Sequence, residues 1–293
     1  MAGKQYYGGQ AVIDGVMMRG QKTLVTAVRH PKGEVVTDTQ VLAPLYSGRA
    51  RKTPFVRGVI VMIESLVLGI KSLMFSANIS LEEEEEKVSS GMIWLILILA
   101  LGMVVGLFFI LPLLLTRLLH IQSSVLFNLV DGLIRVAFFV IYLKLMGLMK
   151  DLKRVFAYHG AEHKTVNAYE AGAPLDVDSV RRYSTAHVRC GTSFLFAVVI
   201  ISVLVFAMAG IHSTWLMILS RIVLVPVIAG ISYELIYFAG RHTENIIARI
   251  ISRPGLWLQS LTTREPDDSQ IEVAIVALKK VIDSEQVTAV VSA

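Results

Sequence analysis

Long apolar runs occupy the central part of the chain and predict helices that cross a bilayer. Met92–Leu115 carries no charge and, as a helix, is longer than the hydrocarbon core of a bilayer is thick. Three further runs have a similar length and character. The four predicted spans are Met92–Leu115, Val125–Met149, Ser193–Ile211 and Trp215–Ala239, which pair into two transmembrane hairpins, 92–149 and 193–239.

Two of these spans contain charged residues, which must face protein or the interface rather than lipid. Asp131 and Arg135 are four residues apart in the second span, so they can neutralise each other on one helix face. The fourth span contains Arg221 and Glu234.

The segment Phe55–Ile79 is apolar except for one polar stripe. Arg57, Glu64 and Lys71 recur every seven residues and therefore share one side of a helix. This pattern predicts an interfacial or re-entrant helix, with a fifth, buried helix as the alternative. A true span here would reverse the side of the N-terminus. The acidic stretch that follows, within 80–91, predicts a solvated linker.

The two ends of the chain are more polar. Leu24–His30 and Val35–Leu42 are rich in Val and Thr and flank the turn sequence Pro31-Lys32-Gly33, so residues 1–54 predict a small β module. In the C-terminal segment 240–293, Gln270–Ile282 repeats apolar residues at helical spacing. This helix is too short and polar to span, and we expect it to dock on the rest of the cytosolic region.

Composition agrees with a membrane protein. Of the 293 residues, 54% are hydrophobic and 17% are charged, and the mean hydropathy is +0.63. These values exclude a disordered chain and disfavour a soluble enzyme. Most Lys and Arg residues lie in 1–91, 150–192 and 240–293, which the positive-inside rule places together in the cytosol with both termini. The polar start of the chain predicts no signal peptide, so we expect the N-terminus to stay in the cytosol, and a single cysteine forms no internal disulfide.

Candidate chemistry lies in the 150–192 segment, predicted to be a cytosolic site loop. His159, Glu162 and His163 form an H-x-x-E-H pattern. On a helix the two histidines project about 40° apart, so both imidazoles can reach one tetrahedral ion, with Glu162 as a base on water. The alternative is an ordinary helix whose histidines bond to loops.

Other residues could complete such a site. His187 and Cys190 lie just before the third span, and a histidine with a thiolate suits zinc better than magnesium. Cys190 could equally be a small buried residue. Glu234 lies near the cytosolic end of the fourth span and could be a further ligand or the partner of a basic residue. Glu170 is too far along the helix to share the ion and is expected in the outer shell.

Four blocks of the sequence resemble those of the bacterial YqhQ-like family of membrane proteins. The blocks are GGQAVIDGVMMRG (8–20), AYHGAEHKTVNAYE (157–170), RRYSTAHVRCGTSF (181–194) and YELIYFAGRH (233–242). The resemblance covers most of the chain and implies a multi-span bacterial membrane protein. Members of the family are loosely labelled as predicted metal-dependent enzymes, with no established activity. The resemblance thereby assigns His159, Glu162, His163, His187 and Cys190 to a metal site and supplies no substrate.

The sequence thus supports a mainly α-helical inner-membrane protein with a small cytosolic β module and three functional hypotheses. The first is a hydrolase in which a divalent metal, expected to be zinc, lowers the pKa of water and Glu162 takes the proton. The second is a receptor for an anionic ligand such as a nucleotide or a guanosine polyphosphate alarmone, although basic loops are also expected from topology alone. Its candidate residues are Arg19, Arg29, Arg49, Arg51, Arg57, Arg181, Arg182, Arg189, Arg241 and His242.

The third hypothesis is a transporter that uses the charged residues of the spans, Asp131, Arg135, Arg221 and Glu234. Four spans per chain would then require a homo-oligomer. The lipid bilayer is the partner common to all three hypotheses, and no DNA or RNA is expected.

Overall fold

The computed structural model describes residues 6–80, 90–209 and 214–291. The predicted acidic linker lies almost wholly outside the described residues, and so does most of the short connection predicted between the third and fourth spans.

A four-stranded antiparallel sheet, with strand order β1-β2-β3-β4, forms the N-terminal module. The two predicted strands are confirmed to within one residue, and a further hairpin precedes them. Gly33, in the predicted turn, has φ +97°, a backbone conformation that favours glycine. The strands are β1 (Gly8–Val12), β2 (Gly15–Arg19), β3 (Thr23–Arg29) and β4 (Val35–Val41).

The rest of the described chain is mainly helical. The helices are α1 (Pro44–Ser47), α2 (Val56–Ser80), α3 (Ser90–Val105), α4 (Leu111–Leu118), α5 (Ser124–Met146), α6 (Lys150–Ala171), α7 (Val177–Val180), α8 (Gly191–Ala209), α9 (Thr214–Val223), α10 (Val225–Arg241), α11 (Ile246–Thr262) and α12 (Asp268–Val291). A π-helical turn, Gly106–Ile110, joins α3 to α4, and a short 3-10 turn, Ala50–Lys52, precedes α2.

Four helices of the described chain are long and apolar enough to span a membrane: Val56–Ser80, Ile98–Leu118, Ser124–Met146 and Gly191–Met208. This set differs from the predicted one at two places. It includes α2, and it lacks the predicted fourth span, which divides at Leu224 into α9 and α10. Pro226 explains the division, because proline has no N–H to donate and its ring clashes with the preceding helical turn.

Helix α2 packs one face on the sheet. Leu68 joins the apolar core beneath the strands, and the Ser72 hydroxyl lies 3.0 Å from that of Thr26. The opposite face exposes apolar side chains such as Leu66 and Leu73. The predicted polar stripe faces protein at Glu64, which is buried. Protein on one face and exposed apolar groups on the other are compatible with the interfacial interpretation of α2 and with a span.

Helices α6 and α12 cover the other face of the sheet and enclose the larger apolar core. The predicted docking of the C-terminal helix is confirmed, since Ile271, Ala274 and Leu278 are fully buried against the strands and α6. This packing fixes α6 relative to the sheet and so determines where its histidines lie.

A buried group of three charges connects helices α5 and α9. Arg135 and Arg221 donate to the same carboxylate oxygen of Asp131, over 2.8 and 2.9 Å. All three side chains are at most 5% exposed. The predicted pairing of Asp131 with Arg135 is therefore confirmed, and Arg221 is a second partner. The guanidinium groups of Arg135 and Arg221 also lie over the ring of Phe206 on α8.

Candidate metal centre

The H-x-x-E-H pattern lies in the middle of α6, on the part of this helix that is buried. His159 and His163 stand one turn apart, with ring centroids 4.3 Å from each other. Gly160, between them, permits a close approach by the segment after α11, because a Cβ here would lie 2.1 Å from the carbonyl oxygen of Arg264. The chain after α11 therefore closes over the histidines.

Backbone carbonyls orient both imidazoles. The Nδ1 atom of His159 lies 2.9 Å from the carbonyl oxygen of Thr262, and Nδ1 of His163 lies 2.6 Å from that of Thr185. A carbonyl oxygen only accepts, so each Nδ1 carries a proton, and in the neutral imidazole each Nε2 presents its lone pair on the other side of the ring. Histidines that bind metals typically donate their other ring N–H to a carbonyl in this way.

Cys190 completes a group of three side chains that could hold a metal ion. Its Sγ atom lies 3.2 Å from Nε2 of His159. The ligand atoms of His159, His163 and Cys190 all lie within 4.8 Å of one another. Around a tetrahedral zinc ion, with bonds of about 2.0–2.3 Å, two ligand atoms are separated by about 3.3–3.7 Å. An ion could therefore contact all three after the most distant of these atoms move closer by up to about 1 Å.

His163 gives the clearest sign that this group suits a metal ion. Its Nε2 atom is buried and has no hydrogen-bond partner among the described residues. An unsatisfied buried acceptor is costly, and coordination would satisfy it. Burial also lowers the pKa of His163, although the nearby thiol of Cys190 opposes this shift. The lowered pKa favours the neutral imidazole, which is the form that binds metals.

Glu162 lies beside the three ligands, where the sequence predicted a base. It is 4% exposed, and its Oε2 atom is 3.4 Å from Nε2 of His163. Burial raises the pKa of Glu162, although His159 and His187 nearby and the backbone N–H of Gly9 oppose the shift. Position 9 in β1 requires glycine, because a Cβ on Gly9 would lie 2.9 Å from Cγ of Glu162.

His187 borders this group without being one of its three ligands. Its ring centroid is 5.8 Å from that of His163, and its Nε2 lies 3.5 Å from Oε2 of Glu170. Glu170 also binds Arg189. Burial alone would raise the pKa of Glu170, but the bonds from His187 and Arg189 outweigh it and lower that pKa. Glu170 thus holds the 187–189 segment through His187 and Arg189, and it is not one of the three side chains that could hold the ion, as predicted.

Glu234, predicted as a further ligand, lies elsewhere. Its carboxylate accepts hydrogen bonds from the backbone N–H of Phe55 over 2.9 Å and from Nε of Arg57 over 2.8 Å. The prediction of a metal ligand is therefore wrong for Glu234, whereas the alternative, a partner for a basic residue, describes it. Glu234 is also separate from the Asp131 group, so the four charges of the transporter hypothesis do not form one cluster.

The arginines of the receptor hypothesis are dispersed, and most neutralise carboxylates of this chain. Arg19 and Arg51 bind Glu64, at 2.5 and 2.9 Å. The other ion pairs are Arg29–Glu272, Arg57–Glu234, Arg181–Asp268 and Arg189–Glu170. Arg49 and Arg182 are exposed, while Arg241 lies over the ring of Tyr237 and His242 stacks on Phe238. These residues do not form a single anion site.

Sequence reasoning missed several supports of the centre. The carbonyls of Thr185 and Thr262 act through the backbone, which leaves no signal in residue type. Gln259 is fully buried and bonds both the N–H and the carbonyl of His187. A glutamine in an amphipathic helix gives no indication of this role.

The fold and the site together define a class of protein. It is a multi-helix chain with four candidate membrane-spanning helices, a small sheet and a buried His/His/Cys group. The profile of the family described as protein of unknown function DUF1385 matches residues 53–284. The chain is 34% identical over 296 residues to the uncharacterized protein YqhQ of Bacillus subtilis (strain 168), covering 94% of this chain and 92% of the relative. It belongs to this YqhQ-like family. No solved structure matches the chain significantly.

Proposed function

We propose that this chain is a bacterial inner-membrane protein in which His159, His163 and Cys190 bind a divalent metal ion. The observation that carries the proposal is the pair of imidazoles whose Nδ1 atoms are engaged by carbonyls, with one Nε2 3.2 Å from the thiol and the other buried, without a hydrogen bond and 3.4 Å from Oε2 of Glu162. A buried acceptor without a hydrogen bond is costly, and coordination of a metal ion would satisfy it.

The donor set indicates the class of metal. Two imidazoles and one thiolate suit zinc or a similar transition metal, whereas magnesium and calcium prefer oxygen ligands. Three protein ligands are also typical of catalytic zinc sites, which keep a fourth position open, while structural sites are usually closed by four.

The arrangement supports hydrolysis as the reaction class. A bound zinc ion would supply Lewis acidity that lowers the pKa of coordinated water to about 7. Glu162 is the residue placed to accept a proton, because its carboxylate is 3.4 Å from Nε2 of His163. Burial raises the pKa of Glu162, and a carboxylate of raised pKa is a stronger base. Glu170 and Gln259 hold His187 and its neighbours in place around the centre.

The membrane arrangement belongs to the same proposal. Three long apolar helices and the divided pair α9–α10 would cross the bilayer, four crossings in all, and α2 would lie in the interface with its exposed apolar face in lipid. The sheet, α6 and α12 would then lie in the cytosol with both termini, as the distribution of Lys and Arg favours. The metal centre would open at the cytosolic surface of the membrane.

Metal content tests the proposal directly. The full-length chain, purified without a metal-affinity column, should contain about one zinc ion per chain when measured by inductively coupled plasma mass spectrometry. His163→Ala and Cys190→Ser should weaken retention at least tenfold, since even outer-shell partners are worth about 10- to 100-fold in affinity. His120→Ala, at an exposed histidine, is the matched control and should retain the metal.

Glu162→Gln separates binding from chemistry. This variant should keep its metal and fail to replace the native gene in a deletion strain. Wild-type protein with no more metal than His163→Ala would refute the metal site. A Glu162→Gln variant that complements fully would refute the hydrolytic role.

A further inference from the structure

Arg249 and Arg253 on α11 differ from most other arginines of the protein. Arginines such as Arg19, Arg57 and Arg189 are paired with carboxylates. Within the described ranges, neither Arg249 nor Arg253 forms an ion pair or a side-chain hydrogen bond. The two like charges are four residues apart on one helix, an arrangement that is unfavourable without an anion.

Arg249 and Arg253 both line a cavity. Its volume is about 190 Å³, and its other lining residues include Val188, Thr243, Ser252 and Leu256. Its wall is mainly apolar, and the Ser252 hydroxyl donates to the carbonyl of Ala248 over 2.9 Å, so the two arginines are the cationic groups at this cavity. Guanidinium groups bind phosphate oxygens bidentately, so the cavity has the chemistry of a phosphate site.

The outer face of α11 indicates that this phosphate belongs to a lipid. Ile246, Ile250 and Trp257 are each more than half exposed on a helix that also carries the two arginines. Isoleucine, tryptophan and arginine on one amphipathic helix are typical of a helix lying at a membrane surface. A soluble phosphate ligand would not require these exposed apolar groups.

The packing of α11 places it against the membrane helices. Gly255 lies so close to α8, a candidate span, that a Cβ would be 2.5 Å from Oγ of Ser193. Between these helices and α10 lies a second cleft of about 210 Å³, lined by apolar residues such as Phe196, Ile200 and Ile251. A hydrocarbon chain suits such an apolar cleft. Both cavities beside α11 therefore suit parts of a lipid, the first its headgroup and the second its acyl chain.

We propose that Arg249 and Arg253 bind the phosphate of an anionic phospholipid at the surface of the membrane. Because Val188 lies between His187 and Cys190, a headgroup in this cavity would sit against the segment that supplies the thiol of the metal centre. The lipid site does not depend on the metal, and its test does not require one.

Lipid binding is best measured by native mass spectrometry of the full-length chain in a neutral detergent. The probes are phosphatidylglycerol, phosphatidylcholine and inorganic phosphate. The test variant is Arg249→Gln/Arg253→Gln, and the matched control is Arg182→Gln, which removes an equally exposed arginine outside the cavity. Each lost arginine should weaken phosphatidylglycerol binding about fivefold, so the double variant should lose about 25-fold. Phosphatidylcholine binding should change less than about twofold.

Three results would overturn the proposal: an equal loss in Arg182→Gln, an equal loss of both lipids, or displacement of phosphatidylglycerol by millimolar inorganic phosphate, which would identify a free anion as the ligand. Arg249→Lys/Arg253→Lys keeps the charges and loses the bidentate geometry. It should bind phosphatidylglycerol more weakly than wild type, and unchanged binding would also count against the proposal. Zinc content measured in the same samples separates this result from a failure of the metal site.

Discussion

Replacing Asp131 by asparagine should destabilise the helical part of the protein severely. The substitution preserves the size of the side chain and removes the negative charge shared by Arg135 and Arg221. Both guanidinium nitrogens lie within 2.9 Å of the same oxygen, so they are at most about 5.8 Å apart. Without the carboxylate, two buried positive charges at that separation repel by about 3 kcal/mol at an effective dielectric constant of 20.

This value agrees with the general cost of breaking a buried ion pair, about 3–5 kcal/mol. Asp131→Asn should therefore lower the free energy of unfolding by at least about 3 kcal/mol. The assay is reversible unfolding in mixed micelles of dodecylmaltoside and SDS, followed by circular dichroism. The control is Asp268→Asn, which breaks the exposed ion pair with Arg181 and should cost less than about 1 kcal/mol.

A loss below 1 kcal/mol in Asp131→Asn would refute this reasoning, because it would mean that water or lipid headgroups solvate the two arginines. The triple replacement of Asp131, Arg135 and Arg221 by leucine provides a second check. It removes every charge at once and should be less destabilising than Asp131→Asn alone.

Two further predictions concern the sheet and the metal centre. Gly160→Ala places a Cβ against the carbonyl of Arg264. We therefore expect thermal unfolding to show a free energy of unfolding lower by about 1–3 kcal/mol, together with weaker zinc retention. Wild-type values of both quantities would contradict the contact. Burial, together with Tyr169 and Glu285, raises the pKa of Tyr7 above its ordinary value. The folded chain thus holds this proton more tightly, so the stability it contributes is present below about pH 10 and declines above it. Tyr7→Phe should reduce that alkaline decline in unfolding experiments, and an unchanged profile would show that Tyr7 does not cause it.

Most of the architecture could be predicted from periodicity. The strands around Gly33 and the apolar face of α12 follow patterns that depend only on which side of an element is buried. The division between α9 and α10 was missed because a uniformly apolar run conceals a break, although Pro226 marks its position. Helix α11 was missed for a related reason, since Pro254 lies inside it and interrupts the usual helical signal.

Some residues of the candidate site could likewise be predicted from the sequence, and others could not. His159, His163 and Glu162 were found because ligands one helical turn apart are visible along the chain. Cys190 was found through chemistry, as a thiol in a short polar segment. The error over Glu234 arose because a carboxylate near the end of an apolar helix suggests a site, while its partner Arg57 is remote in sequence. Only tertiary structure shows that partner.

Cys190 immediately precedes α8, whereas both histidines stand on α6, which is anchored to the sheet. An ion coordinated by all three would therefore cross-link α8, a candidate membrane-spanning helix, to the part of the molecule built on strands. Its removal would release one of the connections between these two parts, so metal occupancy would add to the rigidity with which they are held together.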